Sequence, residues 1–190
     1  NDKDREILAD LGAMLDHELA LIETATVDEL TRLSNRRGFN LVASRVLALC
    51  KRLTQPCTAV SFDLDRFKSI NDTHGHDAGD DVLRRFAKLL YEEFRDTDVV
   101  ARFGGDEFCV LWSGCSGNVI QTALDRLKQT FESSDLARRY PELSWSAGVA
   151  TLEGGADMPL DELLKIADAR MYCAKAERRP STSRARALSL

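Results

Sequence analysis

Carboxylates collect at two places in this 190-residue chain. FDLD, residues 62–65, ends an apolar stretch with Asp63 and Asp65, and RFGGDEF, residues 102–108, sets Asp106 and Glu107 directly after Gly104 and Gly105. On a strand, Asp63 and Asp65 project to the same side. The chain turns into a helix at that point and Asp65 stands where an N-cap acceptor belongs, so Asp65 is expected to be structural and Asp63 free to bind a ligand. A carboxylate ending a buried strand is costly unless something pairs with it. Asp106 and Glu107 are the groups expected to converge on it. Mg²⁺ takes hard oxygen ligands, usually one or two carboxylates completed by phosphate oxygens and water, and three carboxylates from adjacent strands meet that need. Acidic residues are equally at home in solvated turns, so these residues alone leave a cation site and a plain acidic turn level.

The elements that hold these groups follow from periodicity. DREILADLGAMLDHELALIE repeats Leu8, Leu15 and Ile22 every seventh residue with Leu11 between, and reads as one amphipathic helix, either a dimerising coiled coil or a helix packed on its own domain. ETATVDELTRLSNRRGF breaks the pattern and is expected to hold a linker, with the compact domain starting near Asp28. Phe39, Val42, Val46, Leu49 and Leu53 form a helix stripe, TAVSFDLD a strand buried on both faces, RFKSIND a short helix and THGHDAGD a loop. DVLRRFAKLLYEEF is strongly amphipathic through Val82, Leu83, Phe86, Leu89 and Leu90. DVVARF and EFCVLW flank the glycines as an antiparallel hairpin. NVIQTALDRLKQTFESS then reads as a helix, LSWSAGVATL as a strand, and PLDELLKIADARMYCAKAERR as a last helix with Pro159 near its start. The order is mixed α/β around a sheet of four or five strands.

Composition narrows the class. A hydrophobic share of 44% supports a real core, and no apolar run approaches the roughly 20 residues of a membrane-spanning helix. The chain begins NDKDREIL, too charged for a signal peptide, and begins at Asn1, which suggests a piece of something longer; a cytoplasmic location is expected. The five cysteines form no CxxC pair, and Cys50, Cys109 and Cys173 lie in apolar periodic stretches, the pattern of buried free thiols. A net charge of −5 argues against nonspecific nucleic-acid binding, and the basic end ERRPSTSRARALSL reads as a flexible tail.

In sequence order, DELTRLSNRRGF, FDLDRFKSINDTHGHDAGDDVL, RFGGDEF, SWSAGVAT and ADARMYCAK strongly resemble the GGDEF domain family of diguanylate cyclases. The likeness runs from Asp28 to Arg179 and divides the chain into an N-terminal signalling helix and linker (1–27), a GGDEF domain (28–179) and a tail (180–190). It implies an α+β fold related to polymerase palms and nucleotidyl cyclases, with a central mixed sheet of about five strands surrounded by helices. The implied reaction is condensation of two GTP into cyclic di-GMP with release of two pyrophosphates.

The resemblance also assigns residues. Asp63, the backbone carbonyl of Leu64, Asp106 and Glu107 are implied to hold two Mg²⁺ ions per active site, with Mn²⁺ as the alternative, and Asp106 and Glu107 to be catalytic. Glu107 is also a candidate acceptor for the 3′-hydroxyl proton. Gly104 and Gly105 let the backbone come close to the nucleotide. Asn71 and Asp80 match the guanine-reading pair, and a carboxylate suits the guanine N1 and N2 donors; Asp80 also suits a helix start. Lys68, Lys175 and Arg179 match positions that contact the triphosphate, a polyanion that calls for cations. The family's AKxxGRN reads AKAERRP here, so Arg178 replaces a glycine. His76 is expected to order its loop.

RDTD matches the family's inhibitory RxxD site, with Arg95 and Asp98 as product-binding residues and Arg126 as a further contact. The intervening strand spans roughly 17 Å, which puts this pair at the far end from the catalytic turn. Arg32 stands where the family has a glycine in DxLTGLxNRR and is expected to alter the joint to the N-terminal helix without touching the chemistry. The implied partners are GTP, cyclic di-GMP as product and inhibitor, a second copy of the chain with one GTP per half-site, and an upstream sensor domain. No nucleic acid and no membrane contact by this segment are implied. The rival from another class is a catalytically silent module that binds GTP or cyclic di-GMP and signals to a partner protein. Intact Asp63, Asp106 and Glu107 weigh against it.

Overall fold

The computed structural model describes residues 24–178. The expected helix through Leu8, Leu11, Leu15 and Ile22, Arg179 and the tail all lie outside them. In order the elements are α1 (Arg36–Arg52), β1 (Cys57–Asp65), α2 (Phe67–His74), α3 (His76–Glu93), β2 (Val99–Gly104), β3 (Glu107–Ser113), α4 (Gly117–Ser133), α5 (Asp135–Arg139), β4 (Ser144–Leu152) and α6 (Leu160–Arg178).

Among the described residues the sheet has four strands, ordered β2-β3-β1-β4, where about five were expected. Every ladder among these residues is antiparallel, and Ser34 and Ala101 form an isolated parallel bridge. The α+β class holds, with the sheet's mixed character confined to that bridge.

β1 lies inside the sheet and is buried on both faces, as expected from the sequence. Its alternate residues feed two cores. Val60, Phe62 and Leu64 enter a core with α2, α3 and α4, whereas Cys57 and Ala59 enter a second one with α1 and α6. Phe86 of α3 sits at the centre of the first, edge-on to Phe62, Phe108 and Phe131 at ring distances of 6.3, 5.2 and 6.3 Å. Burying each such ring contributes about 1.5–3 kcal/mol.

Three local expectations are corrected. The buried face of α1 runs through Phe39, Ala43, Leu47 and Cys50, while Val42, Leu49 and Leu53 point outward. Both sides of this helix are apolar, and the side with small residues lies against the sheet. THGHDAGD is no loop: α2 and α3 meet at Gly75 alone, and His76 opens α3 as an exposed residue. Cys173 is exposed, while Cys50, Cys57, Cys109 and Cys115 are buried and unpaired. Burial, then the nearby Cys50, pushes the Cys57 thiol up to about 12. These are inert core thiols.

Ahead of α1, residues 25–35 fold back on themselves. Asn35 caps α1 by accepting from the Gly38 N–H at 2.9 Å, and its amide donates to the carbonyls of Ala25 and Val27 at 3.2 Å. Asp28 accepts from the Thr31 N–H at 2.9 Å and its hydroxyl at 2.7 Å. Arg32 adopts a left-handed backbone with φ of 61°, the conformation that explains why a glycine suits this position.

Candidate active site

The RFGGDEF tip is a tight turn built on backbone demands. Gly104 pairs with Glu107 across the hairpin after a register shift, and Gly104 and Gly105 have φ of 142° and 52°. Both values lie in the region that side chains disfavour. Nothing lies within 4 Å of where a Cβ would stand on either glycine, so the outer face of the turn is open. The turn is anchored from β1, whose Leu64 N–H donates to the Asp106 carbonyl at 3.2 Å.

Asp63 and Glu107 are opposite each other on β1 and β3. Asp63 is 8% exposed and forms an ion pair with Lys175 of α6, so it is engaged rather than free. Burial raises its carboxyl, the Lys175 hydrogen bond opposes that, and the charges of Asp106 and Asp65 reinforce it. Glu107 is more exposed. Partial burial, then the charges of Asp168, Asp63 and Asp106, raise its carboxyl, with Arg36 opposing. The shared field of these acids is what a cation relieves. Among the described residues, however, no three acidic, histidine or cysteine side chains gather closely enough to hold an ion between them. Lys175 supplies the positive charge at Asp63.

Asp65 is structural, although not as the expected N-cap. That position belongs to Arg66, with left-handed φ of 63° and no side-chain cap. The Asp65 carboxylate instead accepts from the hydroxyls of Ser144 and Ser146, each at 3.0 Å, tying β1 to β4. Arg178 approaches it at 3.8 Å.

A cavity of about 620 Å³ opens beside this strand end, with Asp106, Arg66, Lys68, Lys175 and Arg178 among its walls. Its cations suit a polyphosphate. Lys68 and Lys175 are thus brought together as the sequence suggests, and Arg178, which replaces the family glycine, joins them. A basic residue in the last turn of a helix was the signal for it. Glu107 lines a different cavity, about 440 Å³, between α1 and α6 with Arg36, Lys165 and Asp168. The two hairpin carboxylates therefore line separate cavities.

Asn71 lies against Gly79, the residue before Asp80, at the α2–α3 corner. A Cβ on Gly79 would collide with the Asn71 side chain, so this glycine allows the two helices their close approach there. Asp80, next along α3, is partly exposed and lies 3.7 Å from Arg84.

Arg102 is the positioning residue that sequence reasoning missed. Its guanidinium donates to the Gly105 carbonyl at 3.0 and 2.9 Å and to the Asp28 carboxylate at 3.1 and 3.2 Å, while its N–H donates to the Ser34 carbonyl at 2.9 Å. The RFGGDEF turn is thereby fastened to the segment that enters the domain. Burial alone would raise the Asp28 carboxyl, but hydrogen bonds from Thr31 and Arg102 win and hold it below its ordinary value. Its contribution is therefore present above the ordinary carboxylate range and lost as pH falls through the lowered value. Asp28→Asn is expected to cost about 1.5–3 kcal/mol at neutral pH, shrinking toward zero in acid. Denaturant unfolding at both pH values checks it, and a difference independent of pH contradicts the assignment.

At the other end of β2, Asp98 is 9% exposed and accepts from the Arg95 N–H at 3.0 Å and from the Ser113 N–H at 3.3 Å. It braces its own loop. Arg126 is held by the Glu93 carboxylate through Nε at 2.8 and 3.0 Å and does not line the cavity beside Arg95.

Diguanylate cyclase DosC of Escherichia coli (strain K12) is 36% identical over 152 residues, 78% of this chain and 33% of that protein. Response regulator PleD of Caulobacter vibrioides is 38% identical over 172 residues, 87% of this chain and 36% of its own length. The chain thus spans about a third of the curated relatives it matches. The solved structure of the coiled coil and GGDEF domain of DgcB from Caulobacter crescentus, in complex with c-di-GMP, superposes with a TM-score of 0.80 at 27% identity, covering 92% of this chain and 93% of that one. With residues 25–181 matching the family model described as diguanylate cyclase, GGDEF domain, the chain belongs to that family.

Proposed function

We propose that this domain is a diguanylate cyclase that condenses two GTP into cyclic di-GMP and two pyrophosphates, acting as a homodimer with one GTP per half-site. The observation that carries the reading is the acidic turn bonded to the end of β1, beside a cavity walled by Lys68, Lys175 and Arg178. Family membership and relatives named diguanylate cyclase support it.

In each half-reaction a ribose 3′-oxygen bonds to the α-phosphorus of the other GTP, and the bond from that phosphorus to the bridging oxygen breaks, so pyrophosphate leaves with the electron pair. The hydroxyl proton passes to Glu107 or water. Lys68, Lys175, Arg178 and Arg179 hold the triphosphate, while Asp80 and Asn71 read the guanine edge. Asp63, the Leu64 carbonyl, Asp106 and Glu107 are the oxygen donors that would hold Mg²⁺ or Mn²⁺, two ions in the family reading. When bound, such ions lower the pKa of the attacking hydroxyl and neutralise the leaving group. Because Lys175 pairs with Asp63, ion binding there requires the lysine to turn toward phosphate. The RDTD loop with Arg95 and Asp98 is the product-inhibition site, and an upstream sensor in the longer chain sets how two copies face.

That same Asp63–Lys175 pair is what favours a second reading, a silent module that binds GTP or cyclic di-GMP without turnover. Incubation of the chain with GTP and Mg²⁺, followed by chromatography, separates the two. Cyclic di-GMP and pyrophosphate are expected from GTP and none from ATP. No product at protein concentrations that drive dimerisation establishes the silent module, and equal turnover of ATP removes Asp80 from guanine recognition.

A further inference from the structure

α6 is seated on the sheet along most of its length but not at its end. Its backbone lies directly on β4 where a Cβ on Gly148 would stand 2.1 Å from the Ala167 carbonyl, and its buried residues are Leu160, Leu163, Ala167 and Met171. Past Met171 no described residue of α6 is buried, so its last turns depend on polar tethers. Lys175 and Arg178 share one face of the helix, and Asp63 and Asp65 share one side of β1. Lys175 pairs with Asp63, while Arg178 donates to the Trp145 carbonyl and comes within 3.8 Å of Asp65. A pair at that distance with a half-exposed arginine contributes little, so the hydrogen bond is the tether. Trp145 is opposite Leu64 in the ladder, and the Leu64 N–H holds the Asp106 carbonyl. Both cations thus grip the strand end that anchors the RFGGDEF turn.

The two tethers differ in what substrate does to them. Lys175 lines the cavity beside Asp106 and, in the proposed reading, leaves Asp63 for the triphosphate. The Arg178 hydrogen bond survives that exchange, because its acceptor is a backbone carbonyl of β4. We infer that Arg178 is a positioning residue that keeps the last turn of α6 seated while Lys175 exchanges Asp63 for a polyphosphate. The inference rests on the reading of the domain as a diguanylate cyclase and deepens it, since the share of Arg178 in holding the triphosphate is exerted through Lys175. Without Arg178 the exchange frees the helix end, and the entropy of ordering it again weakens binding.

Calorimetric titration of the 190-residue chain with inorganic tripolyphosphate in Mg²⁺ buffer tests this. Arg178→Ala, which keeps a good helix former at an exposed position, is expected to weaken binding about tenfold, as is Lys175→Met. The double variant is expected to stay within about threefold of Lys175→Met, because an arginine that works through the lysine then has nothing to position. Independent phosphate contacts would multiply instead, to about a hundredfold. Hydrogen exchange over residues 172–178 gives a second readout. Lys175→Met is expected to exchange there within about threefold of the wild type, held by Arg178, and the double variant about tenfold faster or more. Multiplied losses in the double variant overturn the inference, as do wild-type affinity in Arg178→Ala, equal exchange in Lys175→Met and the double variant, or no saturable binding to the wild type. Cyclic di-GMP synthesis from GTP on the same preparations keeps the two readings apart. Synthesis with multiplied losses overturns the role of Arg178 alone, and a shared loss without synthesis supports that role while overturning the cyclase.

Discussion

Glu107→Ala is expected to lower cyclic di-GMP synthesis by roughly 10²–10⁴-fold while leaving the domain folded, the range associated with losing a proton acceptor or a preorganised electrostatic group. The side chain is exposed, so its removal forms no cavity, and stability is expected to stay within about 0.5 kcal/mol at low pH. The pH dependence carries further information. Burial and three acidic neighbours raise the Glu107 carboxyl above its ordinary value. A raised acid favours the folded state below its unfolded pKa, and that contribution is lost as pH rises through the folded pKa. Without divalent ions, the wild type should therefore lose stability relative to Glu107→Ala as pH climbs from the acid side of the carboxylate range to neutrality. Mg²⁺ should shrink this difference if Glu107 contributes to ion binding. Retained synthesis in the variant removes Glu107 from the mechanism, and a pH-independent stability difference removes the acidic field around it.

The parts of this site legible in the sequence are those set by neighbouring residues. Gly104 and Gly105 mark the hairpin because no other residue takes their backbone angles cheaply, and β1 announces itself through an apolar run buried on both faces. The family motifs supply which carboxylates matter. Contacts made across the fold leave no local trace. Asp65 is satisfied by Ser144 and Ser146, 79 and 81 residues away, so an N-cap was the natural local guess and the wrong one. Lys175 reaches Asp63 across 112 residues, and Arg102 reaches Asp28 across 74. α1 misleads for another reason, since apolar residues occupy both its sides and periodicity alone does not choose between them. The joint at Gly75 was hidden by polar residues that read as loop but form the first turn of α3.

Lys175→Met should destabilise the ligand-free domain by about 2–3 kcal/mol, below the roughly 3–5 kcal/mol of a fully enclosed pair because the lysine stem reaches solvent. The loss arises from what remains: Asp63, 8% exposed, keeps its charge beside Asp106 and Asp65 with no cation to balance it. Protonation relieves that state, so the deficit should fade as pH falls through the raised Asp63 value, above the ordinary carboxylate range. Replacing both partners, Asp63→Asn with Lys175→Met, should recover most of the loss, giving a coupling energy that separates the pair from each residue's packing. Mg²⁺ or Mn²⁺ should then raise the melting temperature of Lys175→Met more than that of the wild type, because the ion no longer competes with the lysine for Asp63. Equal shifts in the two proteins, or the same rise in Asp63→Asn, place the ion elsewhere. Synthesis should fall as well, since in the proposed reading the lysine that pairs with Asp63 is also the one that contacts the triphosphate. In that arrangement Lys175 keeps a buried carboxylate charged and in place until substrate and metal arrive together, and its removal costs stability before binding and affinity after it.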